Sequence, residues 1–190
     1  MASPYSNLRS KCDRAIVAML VGEHCGSGAN ILPYAVNATK TYPNATIHSV
    51  SSIPDPSYSG NRWVKIQIEV KGSAAIDPAF PASQQGRVGF DNMVALIGDA
   101  MLQSSNNGQD LQATCDLINQ YGRALAVDPT NGANPVAAQS ALDNADMVDF
   151  TALVLKEGLE GDGTIEADEE GCSWCEILTY ELLACPSNVS

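Results

Sequence analysis

Trp63-Val-Lys-Ile-Gln-Ile-Glu-Val-Lys71 decides the fold. Val64, Ile66, Ile68 and Val70 alternate with Lys65, Gln67, Glu69 and Lys71. A period of two puts the first set on one face of a strand and the second on the other. One face must be covered and the other stays wet.

Upstream of this strand, Leu8, Cys12, Ile16, Met19 and Leu20 recur at helical spacing. Residues 6–21 are therefore expected as an amphipathic helix, with Arg9, Lys11, Asp13 and Arg14 on its wet face. Gly22 and Gly26-Ser-Gly28 are expected to end it. The stretch 29–59 is rich in Pro, Asn, Ser and Thr, and predicts one short strand near 45–50, bounded by Pro43 and Pro54.

Downstream, Pro78 and Pro81 interrupt the chain, and 87–103 reads as a helix with Phe90, Met93, Val94, Ile97, Ala100 and Met101 on one side. Asn106-Asn107-Gly108 reads as a turn. A further helix is expected over 110–127 through Leu111, Cys115, Ile118 and Leu125, weakened by Gly122. A loop at 128–135 and a short Ala-rich helix at 136–144 follow. The nearly continuous apolar run 148–156 predicts a central strand. Residues 174–184 alternate Trp174, Leu178, Tyr180 and Leu182 against Cys175, Ile177, Thr179 and Leu183, and predict a closing strand. The order implies an α+β fold, a mostly antiparallel sheet with helices packed on one face. Residues 1–190 read as a single domain, with a candidate helical insertion at 104–146 and an acidic hairpin loop at 157–171.

The 190 residues are long enough to bury a core without staples. The net charge of −12 sits in the last third. Residues 1–123 carry nine basic and nine acidic side chains, whereas 124–190 carry Lys156 against thirteen acids. Seven of those acids, Glu157, Glu160, Asp162, Glu166, Asp168, Glu169 and Glu170, fall in one segment. They must be solvated, face a basic partner, or bind a cation. They argue against a surface that grips nucleic acid, which needs Lys and Arg against phosphates. The apolar runs 15–21 and 152–155 fall well short of the ~20 residues that cross a bilayer. Met1-Ala-Ser-Pro lacks a charged and apolar leader pattern, so no secretory signal is expected. Cys12, Cys25, Cys115, Cys172, Cys175 and Cys185 are then expected as reduced thiols, with Cys12 and Cys115 on apolar helix stripes.

Two local motifs carry chemistry. Residues 160–169 resemble the second part of a calcium-binding EF-hand loop, with Gly163 at the sharp turn and Glu169 as the bidentate ligand. Position 1 falls on Gly158, which has no side-chain oxygen, and the entering run reads as strand. An acidic hairpin loop accounts for the same residues. Cys172-Ser-Trp-Cys175 with Cys185 offers three thiolates, but a structural zinc takes four ligands and no second pair exists. Neither His24 nor His48 sits in a recognisable nucleophile or metal pattern. No catalytic residue, cofactor or metal is expected, and the chain does not read as an enzyme.

The layout resembles the tail-terminator (tail completion) proteins of long-tailed bacteriophages. The matching parts are the N-terminal amphipathic helix, the polar proline-containing stretch and the strand Trp63 to Lys71. The helix 87–103, the strand 150–157, the acidic connector and the closing strand around Trp174-Cys-Glu-Ile-Leu-Thr-Tyr180 complete them. The stretch 108–146 is longer than in compact members. The resemblance implies a virion structural protein forming a hexameric ring that caps the tail tube and joins it to the head-neck connector. The implied partners are further copies of itself, the tail tube protein and a neck or connector protein. DNA passes through the ring without specific binding, and no membrane is involved. The implied location is the tail-neck junction of the virion, after synthesis in the host cytoplasm. Another head-tail joining protein of the same particle, or a small calcium- or metal-binding module, are the alternatives.

Overall fold

Residues 8–28, 30–33, 42–58, 60–73, 86–102, 104–105, 108–109, 111–127, 148–155 and 174–186 are described by the computed structural model of the chain. The elements in order are α1 (Leu8–Gly22), β1 (Ile31–Pro33), β2 (Asn44–Pro54), β3 (Arg62–Gly72) and α2 (Gly86–Leu102). Then come β4 (Ser104–Ser105), β5 (Gly108–Gln109), α3 (Leu111–Val127), β6 (Val148–Leu155) and β7 (Trp174–Pro186). Five strands form one sheet in the order β1-β2-β3-β7-β6. Only β1 runs parallel to its neighbour; the other pairings are antiparallel. This is the expected α+β arrangement.

Register explains the core. Ile68 lies between Ile47 and Leu178, Ile66 between Ser49 and Tyr180, and Val64 between Ser52 and Leu182. Val64, Ile66, Ile68 and Val70 are each fully buried. Burial of such a side chain contributes about 1.5–3 kcal/mol. The opposite face of β3 pairs Lys65 with Glu181 and Gln67 with Thr179, and stays half-exposed. The helices cover the buried face side by side. α1 packs on β1 and β2, α2 on β3 and β7, and α3 on β6 and α1.

Several local expectations give way to tertiary contacts. The short strand near 45–50 is an eleven-residue strand, because β3 templates its whole length. Pro43 does precede it and Pro54 closes it. The run 148–156 is an edge strand and not a central one. β7 takes the inner place between β3 and β6, and β6 buries Phe150 and Leu153 against the helices while Thr151 and Val154 stay exposed. The candidate insertion at 104–146 includes a helix of the core, since Cys115, Ile118 and Tyr121 on α3 are buried in the main cluster. Gly122 lets α3 approach α1, because a Cβ there would lie 3.2 Å from that of Ala15. The loop at 128–135 and the helix at 136–144 lie outside the described residues.

Asp13 is not on a wet face. β2 has an irregularity between Ser49 and Ser51, and Asp13 Oδ1 accepts the Ser49 N–H at 2.8 Å and the Ser49 hydroxyl. A bulge leaves backbone groups without a ladder partner, and the helix supplies one. Burial pushes the Asp13 carboxyl above its ordinary value, against the two Ser49 hydrogen bonds and the charges of His48 and Arg9. The folded state therefore holds this proton more tightly than the unfolded chain. Its stabilising contribution is complete below the ordinary Asp value and is lost as pH rises through the raised folded value. Across that interval wild type should lose stability relative to Asp13→Asn as pH rises. Denaturant midpoints at a series of acid pH values check this, and parallel curves would refute it.

Candidate functional site

A cleft of about 660 Å³ opens at the end of the sheet where β2 begins and β3 ends. Among the described residues, three segments line it: the turn after α1, the residues just before β2, and the outward side of α2.

The turn is shaped by the way α1 stops. The Cys25 N–H donates to the Leu20 carbonyl at 2.9 Å and the His24 N–H to that of Val21 at 3.2 Å, with His24 at φ 60°. These bonds form a Schellman closure, which usually places glycine at the left-handed position. Histidine takes it here, although left-handed backbone costs an L-residue about 1–2 kcal/mol. Gly22 serves a different contact: a Cβ on it would collide with the Tyr121 phenol. Cys25 and Leu20, the apolar pair that accompanies such a cap, are both buried.

Asn30 then ties the turn to the sheet. Its Oδ1 accepts from the Ser27 N–H at 2.7 Å and from the Ser27 hydroxyl at 3.1 Å. Its Nδ2 donates to the Pro43 carbonyl at 3.2 Å, and its own carbonyl accepts from Ala45 at 2.7 Å. The sequence has no signal for this role, because Asn30 stands among many turn-forming residues.

α2 supplies the opposite wall. Phe90, Met93, Ile97 and Met101 face the core. Gly89, Asn92, Leu96 and Asp99, three or four residues apart, line the cleft as a second stripe, with Met93 at its floor. Sequence reasoning missed that stripe, whose helical spacing carries no chemical signature.

His24, Cys25 and Asp99 have the composition of a nucleophilic set, but the geometry does not make one. Cys25 is buried, and its Sγ donates to the Leu96 carbonyl at 3.4 Å. Burial, then the charges of Glu23 and Asp99, push its thiol up to about 11, so it is held neutral and not as thiolate. An apolar floor with a polar rim is suited to holding a side chain or short segment.

The other expected sites fare differently. Glu157, Glu160, Asp162, Glu166, Asp168, Glu169 and Glu170 lie outside the described residues, as does Cys172. The strands on either side of that segment, β6 and β7, do pair antiparallel. Cys175 and Cys185 share one face of β7, ten residues apart, which is roughly 33 Å along a strand, too far for one metal. Cys175 Sγ lies 3.7 Å from the Glu69 carboxylate, and Cys185 lies 3.2 Å from the Thr151 hydroxyl. Among the described residues no group of three His, Cys, Asp or Glu side chains is placed to hold a metal. Cys12 and Cys115 are buried on their helix faces, as their spacing implies, and burial raises both thiols, Cys115 to about 11. His48 stands opposite Gln67 on β2, away from the cleft. No described helix is long and apolar enough to cross a membrane.

Comparison with protein-family models and with curated proteins finds no match to this chain.

Proposed function

We propose that this chain is a virion structural protein, a tail terminator that forms a ring, hexameric in this reading, on the tail tube. The ring joins the tube to the head-neck connector and lets DNA pass without gripping it. The observation that carries the reading is the order of elements around one sheet. A helix precedes the β2–β3 hairpin, α2 lies on β3 and β7, and an antiparallel β6–β7 pair flanks the acidic segment in sequence. That order is what the resemblance to the tail terminators rests on. The concentration of negative charge in the last third supports it further, since like charge repels the DNA backbone and suits a basic neck partner.

The test is the mass of the native particle together with a charge-neutralised variant. Wild type should run at several times 20.0 kDa by light scattering. Asp162→Asn, Glu166→Gln, Asp168→Asn and Glu169→Gln combined should keep the melting temperature within about 2 °C if these acids act by charge on a partner and not in the fold. The same variant should fail to join tails to heads in particle reconstitution. A calcium-dependent rise in melting temperature, seen in wild type and lost in this variant, would favour the calcium-module reading instead.

A further inference from the structure

Five large apolar side chains among the described residues are strongly exposed: Ile53, Tyr58, Val88, Leu96 and Val154. Four of them fall in two places. Ile53 and Tyr58, at 57% and 67% exposure, stand at the turn end of the β2–β3 hairpin. Leu96 lines the cleft, and Val88 lies one turn before Asn92 on the same side of α2.

The two patches lie at opposite ends of the sheet. β3 runs eleven residues from Arg62 beside the turn to Gly72, against which Phe90 of α2 packs. At about 3.3 Å per residue the ends are roughly 33 Å apart. The hairpin turn of one molecule cannot reach its own cleft.

Their chemistry is complementary. The turn end presents Pro54, Pro56 and Tyr58 on a pre-formed scaffold. Asp55 Oδ1 accepts the Ser57 N–H at 2.9 Å, the Asp55 N–H donates to the Asn61 carbonyl at 2.9 Å, and the Asn61 N–H to that of Tyr58 at 3.2 Å. A knob already shaped loses little freedom on docking. Tyr58 has an apolar ring and a polar tip, and such residues are favoured anchors of interfaces. The cleft offers Met93 as a floor and the exposed Leu96 as a wall for the ring, and the Asp99 carboxylate as an acceptor for the phenol. Its volume of about 660 Å³ accommodates a tyrosine with a neighbouring proline.

We propose that the occupant of the cleft is the turn end of the β2–β3 hairpin of a second copy of this chain, with Tyr58 inserted beside Leu96 and Asp99. Unlike surfaces at opposite ends of a subunit make a head-to-tail contact, which propagates from copy to copy and closes into a ring where the rotation between subunits returns on itself. The inference rests on the ring-forming reading and names its subunit contact.

Tyr58→Asp and Leu96→Asp test it, each an exposed position whose folding is checked by circular dichroism and melting temperature. Wild type is expected as a multi-copy species in light scattering. Each variant alone should associate at least ~30-fold more weakly, the loss of one anchor residue, and run as a single copy. An equimolar mixture should form a species of two copies and no more, because one variant keeps only its cleft and the other only its knob. Two results overturn the docking: assemblies of wild-type size from either variant alone, or a mixture that stays single-copy. A wild-type ring that both variants still build leaves the ring reading standing. A wild-type chain that stays single-copy, or stops at two copies, removes both.

Discussion

Phe90→Ala should lower the free energy of unfolding by about 3–5 kcal/mol, the range for a buried aromatic cut to alanine. Phe90 is 1% exposed and joins three elements. Gly72 ends β3 without a side chain, and a Cβ there would come within 2.8 Å of the Phe90 Cβ, so the ring lies directly on the strand. The Trp174 ring of β7 lies 6.4 Å away, tilted by 36°. The Arg87 guanidinium sits 5.4 Å from the Phe90 centroid and is held by Asp91 at 2.8 Å. Truncation empties this volume and takes away an aromatic pair worth about 0.5–1.5 kcal/mol. It releases the start of α2 from the two central strands. Urea unfolding checks the value, and a loss below 1 kcal/mol would mean that α2 is anchored elsewhere.

Ile68→Ala and Ile66→Ala are expected to cost about 2–5 kcal/mol each. The two positions are chemically alike and equally buried, yet Ile68 should stand higher in that range. Its cross-strand neighbours are Ile47 and Leu178, both apolar, so the cavity left behind has no polar wall. Ile66 is flanked by Tyr180 and by Ser49, whose hydroxyl is held by Asp13. Lys65→Ala and Gln67→Ala, on the other face of the same strand, should change stability by no more than about 0.5 kcal/mol. Equal effects on both faces, or changes under 0.5 kcal/mol at Ile66 and Ile68, would show that this strand does not carry the core.

Much of the architecture was legible in local periodicity. The alternation from Val64 to Val70 and from Trp174 to Leu182 names the faces of β3 and β7, and the structure buries those faces. The spacing of Phe90, Met93, Ile97 and Met101 likewise names the core side of α2, and that of Cys115 and Ile118 the core side of α3. These patterns hold because the period of a helix or strand is a property of the backbone, independent of what covers it.

Only the tertiary structure decided strand order, and the cleft with it. β6 and β7 are both apolar enough for the sheet interior, and pairing with β3 puts β7 inside and leaves β6 at the edge. β1 has three residues and exists because β2 offers it a parallel partner. Asp13 looks like a solvated helix residue until a bulge at Ser49 gives it two donors. His24 takes the left-handed position of the α1 closure although glycines stand nearby, and Gly22 instead makes room for the Tyr121 phenol. Each of these outcomes depends on a residue distant in sequence, whose approach is set by how whole elements pack. A single chain position carries no record of its distant neighbour, so local periodicity names the faces of helices and strands, while packing decides which faces meet and where a cleft is left between them.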